Sequence, residues 1–138
     1  MILTDTNVWS ELTKRSPDAN VVRWFDRNRS TLATSVIVIA EALAGAEQIA
    51  GRVQRRQVVA LFDQFFAALH HAPLIVDEAI ARRAALLAGR SRRSGNVLKN
   101  ADAIIAATAT LYRAPIATRN TKDFKATGLT LIDPWMTA

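Results

Sequence analysis

Two periods alternate along the chain. Short apolar runs of strand length occupy residues 2–4, 31–34, 73–76, 115–118 and 129–132. Between them apolar residues return every three or four positions, the helical period. A first helix is predicted over about 6–14 and is broken by Ser16-Pro17-Asp18, and a second is marked by Val21, Val22, Trp24 and Phe25. Ser35 has the chemistry of an N-cap for a third helix reaching about residue 50. After Gly51, a fourth helix carries Val58, Leu61, Phe62, Phe65 and Leu69 on one stripe. A fifth begins at Asp77 and runs to about residue 90, a basic loop follows at 91–96, and a sixth helix spans about 99–112. Residues 121–126 are expected to form a short helical turn. Strands alternating with helices predict an α/β fold, with a mostly parallel sheet of about five strands covered on both faces. Ligands of such sheets sit beyond the carboxyl ends of the strands, where strand order switches.

Composition narrows the class. A chain of 138 residues, half of them apolar, is long enough for one domain (1–138) with its own core and is not a disordered segment. It has no cysteine, which excludes disulfide scaffolds, thiol catalysis and zinc ribbons and fits a reducing cytoplasm. No apolar stretch is long enough for a bilayer, and no basic segment precedes the first apolar run as a signal peptide would require. A cytoplasmic protein without a membrane segment is therefore expected.

Charge adds a partner. Eighteen Lys and Arg against twelve Asp and Glu give +6. Arg82, Arg83, Arg90, Arg92, Arg93 and Lys99 fall in a stretch without an acid, and Arg52, Arg55 and Arg56 form a second cluster. Arg52, Arg55, Arg56, Arg90, Arg92, Arg93 and Lys99 are the candidate contacts to a polyanion, because cation–phosphate contacts release counterions.

The acids point the other way. Asp5 directly follows the first strand, where it can both cap the next helix and face the ligand crevice. Glu41 has Ile37, Val38, Ala44 and Gly45 as its one-turn neighbours. It is expected at or beside the core, where a lone carboxylate costs several kcal/mol unless an Arg, hydrogen bonds or a metal offsets it. Gly45 is expected to leave room for another group's close approach. Asp102 has Leu98, Lys99, Ile105 and Ala106 as neighbours near the start of an apolar helix, whose dipole favours a negative charge. Asp123 follows the 115–118 strand. Four carboxylates side by side need cations, and oxygen-only ligands suit Mg²⁺ or Mn²⁺. Without those four, eight acids face eighteen bases, leaving +10 over the rest of the chain. An acidic pit on a basic body suits metal-assisted hydrolysis of a phosphodiester.

Read in order, several blocks resemble the PIN-domain ribonucleases of the VapC toxin type, the FitB-like subgroup in particular. They are Ile2-Leu3-Thr4-Asp5-Thr6-Asn7, Thr34-Ser35 with Glu41-Ala42 and Gly45, and Asn100-Ala101-Asp102 through Ala109. Ala117-Thr118-Arg119-Asn120 with Asp123-Phe124, and Ile132-Asp133-Pro134-Trp135, complete the set. The resemblance covers essentially the whole chain and implies a three-layer α/β/α PIN fold. It implies that Asp5, Glu41 and Asp102 are the three acidic positions and Asp123 the more variable fourth, holding Mg²⁺ or Mn²⁺. Asn7 matches the small polar position after the first acid, and Thr118 the hydroxyl of the last core strand. Asn120 is a departure, since many relatives place an Asp there. It can coordinate or orient water through its carbonyl but carries no charge. The resemblance further implies RNA cleavage to 5′-phosphate and 3′-hydroxyl ends. It implies a type II toxin–antitoxin pair whose VapB-like antitoxin inserts a basic side chain among the acids. A homodimer is also expected, Trp9, Trp24, Trp135, Phe65 and Phe66 being more aromatic surface than one small core needs.

Other chemistries fit less well. His70 and His71 are adjacent on one helix end and cannot flank one phosphate. No glycine-rich phosphate loop and no serine elbow is present. A haloacid-dehalogenase-like phosphatase with Asp5 as nucleophile wants a second Asp where Asn7 stands. A nucleic-acid- or protein-binding module with structural acids is the non-enzymatic alternative.

Overall fold

The computed structural model describes residues 1–136 of the chain. Strands β1 (Ile2–Thr4), β2 (Leu32–Ala33), β3 (Ile116–Ala117) and β4 (Leu131–Ile132) form one four-stranded sheet in the order β2-β1-β3-β4. All three pairings are parallel, with Leu3 opposite both Ala33 and Ile116, and Ala117 opposite Ile132. Leu3, Leu32, Ala33, Ile116 and Ala117 are all buried, as a sheet covered on both faces requires.

The helices are α1 (Thr6–Leu12), α2 (Ala19–Asn28), α3 (Val36–Glu47), α4 (Arg52–Ala67), α5 (Glu78–Arg93), α6 (Asn100–Tyr112) and α7 (Thr121–Phe124). Side-chain caps start several of them where the sequence placed polar residues. Asp18 accepts from the N–H groups of Asn20 and Val21, Ser35 from Val38, and Asp77 from Ile80. The main core gathers Leu3, Val8, Trp9, Phe25, Val38, Phe62, Ile105 and Phe124. A second cluster of Ile80, Ala84, Leu98, Ala103 and Ala107 joins α5 to α6.

Two expectations are corrected. The predicted strand at 73–76 is not a member of the sheet. Leu74 makes one parallel bridge to Ser35, its N–H donating to Thr34 O (2.9 Å) and its carbonyl accepting from Val36 N–H (3.0 Å). Pro73 has no N–H for a ladder, and Ile75 is 70% exposed, so nothing extends the pairing. The sheet therefore has four strands, not five. The predicted loop at 91–96 also begins late, because α5 continues to Arg93. Its inward stripe of Ile80, Ala84, Leu87 and Ser91 keeps helical spacing, and all four are buried or half-buried. The helix stops only at Gly95, which takes φ of 78°, while Asn96 N–H donates to Ser91 O at 2.9 Å.

Candidate active site

Strand order reverses between β1 and β3, and each strand is followed there by a polar residue, Asp5 and Thr118. Asp5 N–H donates to Ala117 O at 2.9 Å, which carries the pairing one step past β1. Asp5 is almost fully buried and Thr118, just after β3, is fully buried. The Thr118 hydroxyl donates to Asp5 Oδ2 at 2.7 Å, and Asn7 Nδ2 donates to the same oxygen at 3.2 Å. Asp5 Oδ1 caps α1 by accepting from Thr6 N–H at 2.7 Å. Capping and the tie to Thr118 and Asn7 are thus the work of two different oxygens of one carboxylate.

The support extends outward. Thr118 Oγ1 also accepts from Asn7 Nδ2 (3.2 Å) and from Asn120 N–H (3.0 Å). Thr6 Oγ1 donates to Glu41 Oε1 at 2.9 Å, tying α3 to the start of α1. Glu41 is half-buried, and this hydroxyl is what offsets its partial desolvation. Gly45 does not serve close approach as expected, for a Cβ there would meet nothing within 4 Å.

Asp5, Glu41, Asp102 and Asp123 line one cleft of about 410 Å³, together with Thr6, Asn7, Ser10, Glu11, Lys14, Lys99, Arg119, Asn120 and Trp135. Four sequence-distant acids therefore converge as expected, and Asn7 and Asn120 join them. The fit to a divalent ion can be judged from the donors. Burial pushes the Asp5 carboxyl above its ordinary value of 3.8, against the hydrogen bonds from Thr118 and Thr6, and the charges of Glu41 and Asp123 push the same way. Asp102 is pushed up to about 6, first by burial and then by the charges of Asp5, Glu41 and Asp123, with Lys99 opposing. Among the described residues no ion pair neutralises any of these four, the ion pairs being Lys14–Glu11, Arg29–Asp26 and Arg82–Glu78. Glu11, in the same cleft, is the contrast. Burial pushes its pKa up, but the hydrogen bonds from Lys14 and from Asp18 N–H more than offset this and hold it below its ordinary value.

As the side chains stand, no group of three or more His, Cys, Asp or Glu among the described residues is arranged to hold a metal ion by itself. Mg²⁺ does not need such a cage. It keeps several waters and is held through one or two carboxylates plus substrate phosphates. An oxygen-only, mutually repelling, unpaired donor set at an open cleft fits that mode.

The structure distributes the remaining candidates unevenly. Lys99 lines the cleft. Arg90 lines an adjoining pocket of about 340 Å³ that shares Asp123 with it. Arg52, Arg55, Arg56, Arg92 and Arg93 line neither, and Arg55 is partly spent holding Ile49 O at 2.9 Å. Arg119, Lys14 and Trp135 were missed as site residues because none belongs to a run of basic residues or to an acid with apolar neighbours. Of the aromatic residues expected to form a dimer surface, Trp9 is fully buried in the protomer, while Trp24, Trp135, Phe65 and Phe66 are only partly buried. Trp9 meets Phe25, Phe65 and Phe66 at 5.4–6.2 Å, and Trp24 and Trp135 pack against the same core. Asn7 donates to Asp5 rather than standing as a second acid, which removes the general acid a phosphoaspartate mechanism needs.

Comparison with known proteins agrees with this geometry. The chain matches the family described as PIN domain over residues 2–129. It is 39% identical over 137 residues to VapC ribonuclease Y4jK of Sinorhizobium fredii, covering 98% of each chain. It superposes on the crystal structure of FitAcB from Neisseria gonorrhoeae with a TM-score of 0.90 and 29% identity, covering 99% of this chain and 100% of that one. A toxin–antitoxin complex from Klebsiella pneumoniae gives a TM-score of 0.72 at 26% identity, over 99% and 100% of the two chains. No helix among the described residues is long and apolar enough to cross a membrane.

Proposed function

The chain belongs to the PIN-domain family, on its VapC-type branch, and from that membership we propose that it is a divalent-metal-dependent endoribonuclease, the toxin of a type II toxin–antitoxin pair. The observation that carries the reading is the convergence of Asp5, Glu41, Asp102 and Asp123 on one cleft without a cation partner among the described residues.

These four acids are the residues that would hold Mg²⁺ or Mn²⁺, directly or through water. When bound, such an ion neutralises charge at the phosphodiester and makes water easier to deprotonate. The chain's own residues do the rest. Thr118 and Asn7 fix the orientation of the Asp5 carboxylate through Oδ2. Thr6 does the same for Glu41. Asp102, with a pKa of about 6, is ionised at neutral pH. The Asn120 side chain is not spent on capping α7, which leaves its amide free to orient the attacking water. Water attacks phosphorus in line, the bond to the 3′-oxygen breaks, and the products carry a 5′-phosphate and a 3′-hydroxyl. Lys99 at the rim adds attraction for the backbone.

The partner follows from the same cleft. A VapB-like antitoxin placing a basic side chain among the four acids would supply the missing cation and block substrate. The toxin–antitoxin complex among the structural neighbours supports this, and a homodimer in a cytoplasmic setting belongs to the same reading. The test is cleavage of single-stranded RNA with Mg²⁺ or Mn²⁺, with EDTA, and by the Asp5→Asn protein. Cleavage is expected only in the first case. Activity that survives both EDTA and the substitution would defeat the metal mechanism, and light scattering showing only monomer at high concentration would defeat the dimer.

A further inference from the structure

We propose that Arg119, laid over the Trp135 ring, grips a substrate phosphate next to the scissile one; this rests on the ribonuclease reading above. Arg119 directly follows Thr118, and its N–H donates to Asn7 Oδ1 at 3.3 Å, so its backbone is part of the network that orients Asp5. Its guanidinium carbon lies 5.2 Å from the centroid of the Trp135 ring. Trp135 is itself anchored. Its N–H donates to Asp133 Oδ1 at 3.0 Å, its carbonyl accepts from Asn20 Nδ2 at 2.8 Å, and its half-buried ring packs on the core.

The position of this cation is unusual for its surroundings. Arg119 lines the cleft with four carboxylates, yet among the described residues it makes no ion pair and no side-chain hydrogen bond. A guanidinium held over an aromatic face spends none of its N–H donors on a hydrogen bond there, and these donors can match a phosphate bidentately. The two lysines of the cleft are less suited. Lys14 is bound to Glu11 at 2.6 Å, and Lys99 acts on Asp102. Holding the long side chain on a fixed ring also removes part of the entropy cost of ordering it at binding.

The experiment uses full-length protein in the Asp5→Asn background with Mg²⁺, and reads binding of a short single-stranded RNA by fluorescence anisotropy across a salt series. Arg119→Ala is expected to weaken binding about 10-fold or more, as loss of a charge-assisted contact does. It should also reduce the slope of log K against log salt by about 0.7, the value of one phosphate contact on a single strand. Arg119→Lys keeps the charge and loses the fork, so the slope should stay while affinity falls. Trp135→Ala should lose part of the Arg119 effect and Trp135→Phe little of it, and neither should add to Arg119→Ala. An RNA with one neutral methylphosphonate beside the scissile bond should bind the Arg119 protein less tightly than normal RNA, and bind the Arg119→Ala protein equally. An unchanged slope in Arg119→Ala, or an equal loss on both RNAs, overturns the proposal. If wild type leaves RNA intact with either metal, the ribonuclease reading fails on its own; if RNA is cleaved and the slope is unchanged, only the Arg119 assignment fails.

Discussion

On one side of α1, Val8, Trp9 and Leu12 disappear into the core, and even the Trp9 indole N–H is placed, 3.3 Å from Thr4 O. On the other side Asn7, Ser10 and Glu11 line the cleft, and Asp5 at its start is a buried carboxylate pushed toward protonation. The two sides are one turn apart and obey opposite rules. The core side gains stability from every contact it makes. The cleft side holds four carboxylates together with no ion pair to any of them among the described residues, so removing a charge there should stabilise the empty protein while destroying its use. Glu11 shows that an acid in this cleft can be paired when pairing is its role.

The contrast can be broken at either side. Trp9→Ala removes a fully buried ring that three phenylalanines touch, and should cost about 3–5 kcal/mol in urea denaturation. A loss under 1 kcal/mol would mean that the core side is not the stabilising one. Asp102→Asn should go the other way. RNA cleavage should fall on the order of 100-fold or more, as several kcal/mol of charge stabilisation is removed. In EDTA at pH 8 the same protein should melt roughly 3 °C higher, about 1 kcal/mol once solvent screening is allowed for. A lower melting temperature would refute the idea of uncompensated repulsion.

Smaller effects sharpen it. Thr118→Val removes the hydroxyl that donates to Asp5 and accepts from two neighbours. It should reduce Mg²⁺ affinity and cleavage about 10-fold, as loss of an orienting group does, measured by metal titration of the cleavage rate. The pH dependence is the mildest test. Asp102 titrates near 6 in the folded protein against 3.8 for the free group, so between those values the folded chain binds more protons than the unfolded one. Stability of metal-free protein should therefore fall as pH rises from about 4 to about 6 and level off above. Saturating Mg²⁺ should abolish the fall. A metal-free stability that rises through that window would contradict the assigned environment.

Much of this was readable along the chain, for local reasons. Ser35 and Asp77 announce helix starts because a capping bond spans three residues, Asp5 stands out because it follows the first strand, and Glu41 and Asp102 because their one-turn neighbours are mostly apolar. The strand at 73–76 was misread because an apolar run does not say whether a partner edge is within reach. The loop at 91–96 was misread because Ser91 in an inward stripe looks polar on paper. The basic clusters did not indicate which cations line the cleft, since density along the sequence says nothing of direction in space.

Periodicity, capping chemistry and the placement of acids after strands suffice for the α/β class, most helix boundaries and the acids of the site. These rest on interactions spanning a few residues. Which residues orient Asp5 depends on contacts more than a hundred residues apart, such as Thr118 with Asp5. Only the packing of β1 against β3 brings those groups together, because side-chain direction at a strand end is set by the neighbouring strand and not by the residues beside it.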